Sequence, residues 1–153
     1  MELKKYFILT FLLNFTNFLQ ADIIKPTENL AAYDVIKIQL NALKKNNKPN
    51  KNSGIKQTWI FAHPENKKIT GPYERFQKML LADQYNVLLN HESHKIKPIM
   101  SSENKYIYNV ELISSDKKMY FYDWHLEKTT INNCNNCWFT TSVSPPSNKG
   151  NII

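Results

Sequence analysis

"KYIYNVELISSDKKMYFYDWHLEK", residues Lys105–Lys128, is the stretch on which the fold turns. Its first half alternates and puts Tyr106, Tyr108, Val110 and Leu112 on one side, and its second half does the same with Tyr120, Tyr122, Trp124 and Leu126. A period of two is that of a strand with one face buried. The polar "SSDKK" between the halves is a short turn, so the pair reads as an antiparallel hairpin with one aromatic face that something must cover.

Working outward, "HKIKPIM" (His94–Met100) and "CWFTTSV" (Cys137–Val143) are further strand candidates, and Pro98 assigns the first of them to an edge or a bulge. Upstream the period changes. Between Thr27 and Lys45, Tyr33, Ile36, Leu40 and Leu43 recur at three and four and mark one face of a helix, with Thr27 or Asn29 as its cap. The Asn-rich "KKNNKPNK" (Lys44–Lys51) stops it as a solvated loop. A second helix runs from Ser53 or Gly54 to Phe61, broken by Pro64. A third begins with Pro72 in its first position, Gly71 as cap and Glu74 at N3. Its buried face is Tyr73, Phe76, Met79 and Leu80, and Arg75 points away from it. Helices followed by strands predict an α+β domain, with N-terminal helices packed on one face of an antiparallel sheet. The domain spans residues 22–144, and residues 145–153, rich in Pro, Ser, Asn and Gly, read as a loose tail.

The first residues, "MELKKYFILTFLLNFTNFLQA", set Lys4 and Lys5 before an apolar run that ends in Ala21, the layout of a secretory signal peptide over residues 1–21. Asn14, Thr16 and Asn17 interrupt the run, which makes it a poor span by the requirement of ~20 apolar residues, and an uncleaved anchor is the alternative. Cleavage leaves a secreted or periplasmic chain of ordinary domain size with no stable membrane span. The formal charge of +7 invites a nucleic-acid reading. The lysines are scattered, however, and Arg75 is the only arginine, so the guanidinium forks that phosphate recognition favours are missing and nucleic acid is excluded as a partner.

"IQLNAL" (Ile38–Leu43), "GIKQTWIFAHPENKKITGPYERFQKML" (Gly54–Leu80) and "YNVLLNH" (Tyr85–His91) resemble the pattern of a family of secreted bacterial proteins, domain of unknown function 4864. Cys134 and His63 depart from that pattern. The resemblance implies a curved sheet of the nuclear transport factor 2-like, or cystatin-like, cone, and brings no activity with it. It also makes Arg75 part of the motif, either fixing its helix through a bidentate fork or meeting an anion at the cone mouth.

Cys134 and Cys137, in "NNCNNCW", are expected to form one disulfide in a secreted chain. Joining them with His91 and His94 into a zinc site requires two distant loops to meet, and we assign neither a metal nor a cofactor. Asp123 and His125 are the acid–base candidates, yet alternation places them opposite Tyr122 and Trp124, outside an aromatic inner face. Ile107, Ile113, Met119 and Phe121 share that outer face and predict a homodimer contact there. Tyr106, Tyr108, Tyr120, Tyr122 and Trp124, with Arg75, are the candidate pocket for a small amphipathic or anionic ligand. The expected function is a non-enzymatic ligand-binding or protein-interaction module. The alternative is a small cone enzyme, an isomerase or hydrolase working through Tyr, His125 or Asp123.

Overall fold

The computed structural model describes residues 22–131 and 133–151. The expected signal peptide and its cut after Ala21 lie outside them. The order of elements is α1 (Ala32–Lys44), α2 (Ser53–Ile60), α3 (Pro64–Thr70), α4 (Tyr73–Leu81), a single 3-10 turn (Asn86–Leu88), then β1 (Ser93–Ser101), β2 (Lys105–Ile113), β3 (Lys118–Ile131), β4 (Cys134–Val143) and β5 (Ser147–Asn151). It is an α+β fold, with four helices followed by a curved antiparallel sheet.

The hairpin register sets Tyr108 opposite Trp124 and Val110 opposite Tyr122, so the alternating residues meet on one face as their spacing predicts. Tyr108, Val110, Leu112, Tyr122, Trp124 and Leu126 are all buried there against Val35, Ile36, Leu40 and Leu43 of α1, Ile55 of α2, and Phe76 and Leu80 of α4, in one continuous core. Each fully buried side chain of this kind contributes about 1.5–3 kcal/mol, which is why the aromatic face dictates that helices cover it. β1 is an edge strand, and its register slips between Pro98 and Met100 because proline offers the ladder no N–H.

Four details depart from the sequence expectations. α1 starts at Ala32, because Asp34 Oδ2 accepts the Ala31 N–H at 3.0 Å and caps the helix in place of Thr27 or Asn29. Pro72 is the cap of α4 and not its first residue, its carbonyl receiving the N–H of Arg75 and Phe76. Pro64 does not only break α2; it opens α3, a helix that buries no side chain and so left no apolar period to read. The segment expected as a loose tail, 145–153, instead contributes β5. Since β2 occupies one side of β3, β4 and β5 share the other: Val143 lies opposite Trp124 and Ser147 opposite Phe121. They are one line of pairing interrupted at Pro145 and Pro146, which have no N–H to give.

Candidate functional site

Between the helices and the β3–β4 edge lies a cavity of about 230 Å³. Its position follows from a local irregularity. The β3–β4 register jumps from His125↔Ser142 to Leu126↔Thr140, leaving Thr141 as the extra residue of a bulge. The backbone of Phe61–His63 then adds to the free edge of β4, where Thr140 N–H donates to the Phe61 carbonyl and His63 N–H to the Thr140 carbonyl, both at 2.8 Å. α3 begins directly after this bridge and is held over the strand end. Gly71 closes α3 at a point where a Cβ would lie 2.4 Å from the Lys67 carbonyl oxygen and 3.0 Å from the Trp59 ring.

The floor of the cavity is a closed polar network. Gln39 Oε1 accepts from Thr140 Oγ1 at 2.6 Å and from Trp124 Nε1 at 3.1 Å, and Gln39 Nε2 donates to the Thr58 carbonyl at 3.1 Å. Gln39 is buried at a position where α1 otherwise presents Ile36, Leu40 and Leu43. The apolar walls come from Leu43, Phe76, Leu80 and Leu88, and the outer rim from Asn66, Ile69, Thr70 and Tyr85. Among the described residues, no carboxylate, histidine, lysine or arginine lines it, and the one titratable wall residue is Tyr85, whose phenol burial makes harder to ionise.

Of the candidate pocket residues, Trp124 lines this cavity. Tyr108 and Tyr122 fill the core beside it; burial pushes the Tyr108 phenol up to about 12 and raises that of Tyr122 further still. Among the described residues the Tyr122 hydroxyl is a buried side-chain group without a hydrogen-bond partner. Tyr106 stacks on Tyr108 at 5.5 Å and meets Trp138 edge-on, and Tyr120 packs against the core margin. Arg75 is exposed on α4, its side chain makes no hydrogen bond or ion pair among the described residues, and it is not on the cavity wall. The expected fork is not formed among the described residues, because Arg75 projects into solvent away from the buried Phe76 and Leu80.

Asp123 and His125 are half-exposed on the outer sheet face, with Asp123 Oδ1 accepting from Asn109 Nδ2 at 2.9 Å. They have no access to the cavity. Cys134 and Cys137 form a disulfide at the far end of β3, near Ile131, whereas His91 and His94 lie by Ile113 and Met119 at its opposite end. Histidines and cysteines are thus kept apart, and no cluster of three metal-binding side chains occurs among the described residues. No helix among them is long and apolar enough to cross a membrane.

A broader groove of about 530 Å³ lies on the other side of α1, between it, α2 and residues 22–24. There the Gln57 amide clamps the backbone of Ile24, accepting its N–H at 2.8 Å and donating to its carbonyl at 2.7 Å. The groove is the more open of the two and is bounded by Lys37, Lys45 and Lys48, so the inner cavity is the stronger site.

The residues that build the site, Gln39, Asn66 and Thr140, are neutral and carry no titratable group to mark them in the sequence. One signal was available: Gln39 stands three residues after Ile36 and four before Leu43, on the apolar face of α1. Comparison with protein families, with curated proteins and with solved structures finds no match for the chain.

Proposed function

We propose that this protein is a secreted or periplasmic small-ligand-binding module, non-enzymatic, whose ligand occupies the cavity between the helices and the β3–β4 edge. The observation that carries this reading is the make-up of the cavity: apolar walls with a few convergent neutral polar groups and no acid–base pair. The candidate general acid and base stand on the opposite face of the sheet, which weighs against the alternative of a cone isomerase or hydrolase. The curved sheet and the Gly54–Leu80 and Tyr85–His91 motifs support assigning the chain to a nuclear transport factor 2-like cone in the manner of domain of unknown function 4864. The Cys134–Cys137 disulfide supports an oxidising compartment.

Native mass spectrometry of the protein recovered from its own compartment tests the reading. A retained molecule, lost in a Leu80→Trp variant that fills the cavity, is the expected result. A protein that carries no bound molecule in either the wild type or that variant points instead to a packed core and a protein partner.

A further inference from the structure

The polar groups of the cavity fall into two sets that differ in how firmly they are engaged. On the floor, every Gln39 amide atom is bonded, at 2.6–3.1 Å, as are Trp124 Nε1 and Thr140 Oγ1. At the rim the Thr70 hydroxyl is firmly held, donating to the Asn66 backbone carbonyl at 2.8 Å, but the amide and phenol contacts are long: Asn66 Nδ2 reaches the Thr140 carbonyl at 3.3 Å, Asn66 Oδ1 lies 3.3 Å from Thr70 Oγ1, and Tyr85 OH reaches the Val143 carbonyl at 3.4 Å. Bonds of that length lie beyond the usual range and are given up at little cost. Asn66 belongs to α3, which buries none of its own residues, and the same helix holds Ile69 on the cavity wall with 73% of its surface exposed. An apolar side chain so placed gains contact only when something fills the space beside it.

Size and charge narrow the occupant. An apolar cavity of about 150 Å³ holds one benzene molecule, so about 230 Å³ suits a single ring with a few further atoms. The walls carry no counter-charge, and desolvating an unpaired ion costs far more than the contacts of so small a molecule return. We propose that the cavity takes an uncharged, mainly apolar molecule of single-ring size, and that Asn66 is the residue that reads its one hydrogen-bonding group while Ile69 closes over its apolar body. This rests on the ligand-binding reading above and removes the anionic ligand from it.

Four probes of one shape separate the terms: toluene, benzyl alcohol, benzoate and benzylamine, each titrated into the ¹⁵N-labelled protein and followed by amide shifts. Benzyl alcohol is expected to give saturable shifts over Asn66–Thr70 and Thr140–Val143, with both charged probes at least roughly tenfold weaker. Asn66→Ala should erase the preference for benzyl alcohol over toluene, a change of roughly three- to tenfold, and leave toluene itself unaffected. Ile69→Ser, on an exposed position where folding is not at stake, should weaken both neutral probes alike. Benzoate or benzylamine binding as tightly as benzyl alcohol overturns the proposal, as does an Asn66→Ala variant that weakens toluene and benzyl alcohol equally. If native mass spectrometry finds a retained ligand that is ionic, the neutral-ligand assignment fails while the binding module stands; if no probe shifts these amides and the protein is isolated bare, both fail.

Discussion

His91 is 2% exposed, its Nδ1 donating to the Leu88 carbonyl at 2.7 Å and its Nε2 facing His94 Nδ1 at 2.6 Å. With its one proton given to the carbonyl, neutral His91 accepts at Nε2, and His94 Nδ1–H is the donor. Burial pushes the His91 pKa down to about 4; the hydrogen bond to the Leu88 carbonyl opposes this in part, and His94 and Lys44 lower it by smaller amounts. Burial lowers His94 as well, followed by Lys44. Because the unfolded chain takes up a proton below an ordinary 6.5 and folded His91 does not until about 4, stability present above pH 6.5 is lost as pH falls through that window. The loss attributable to His91 is on the order of 3 kcal/mol at the acid end. Thermal melts from pH 7 to pH 4 should show it, and His91→Gln, which keeps a donor for the carbonyl without titrating, should flatten the curve. A wild-type melting temperature constant across the window contradicts the account. Arg75 shows the converse: as the only arginine it drew notice in the sequence, yet its surroundings leave it in solvent, while His91 looked like an ordinary loop residue.

The packing of α1 on α2 rests on a glycine. A Cβ on Gly54 would stand 2.2 Å from the Ala42 carbonyl oxygen and 2.9 Å from Asn46 Cα, both backbone atoms that cannot turn aside. Gly54→Ala is therefore expected to cost about 3 kcal/mol, at the upper end of overpacking, although alanine is the better helix former; urea unfolding measures it, and an unshifted midpoint refutes it. The connection before this helix has the composition of a solvated loop, yet Asn46 is buried and ties it together, Oδ1 accepting the Ile55 N–H at 3.1 Å and Nδ2 donating to Asn52 Oδ1 at 3.1 Å. The elements legible in the sequence were those with an apolar face: α1, α2, α4 and the β2–β3 hairpin all announce a period. α3 buries nothing and β5 follows two prolines, so neither leaves a pattern, and both are fixed by tertiary hydrogen bonds to strands read elsewhere. The cavity was illegible for the same reason, since it exists where the Thr141 bulge and α3 meet.

At the scale of the whole molecule, one face of the sheet carries the helices and, among the described residues, nothing covers the other. Ile107, Ile113 and Met119 stand half-exposed on that second face between polar partners already matched across strands: Asn109 with Asp123, and Lys97 with Glu111. Polar groups so satisfied can be covered without orphaning a donor or acceptor, which removes the usual cost of burying a mixed surface. Four strands at ~4.8 Å spacing and about nine residues at ~3.3 Å each give a face of about 570 Å². Two copies then bury about 1,100 Å² in all, just above the ~1,000 Å² that a specific contact requires. A homodimer through this face is thus proposed as a weak, concentration-dependent one rather than an obligate pair. Sedimentation equilibrium over a wide concentration range should show monomer passing into dimer, and Ile107→Lys with Met119→Lys should hold the protein monomeric by opposing like charges across the two-fold axis. Because these side chains lie on the far side of the sheet from the cavity, the same double variant should bind benzyl alcohol as the wild type does. Monomer at every concentration removes the dimer and leaves the cavity reading untouched, whereas loss of benzyl alcohol binding in the double variant couples the two faces and removes their independence.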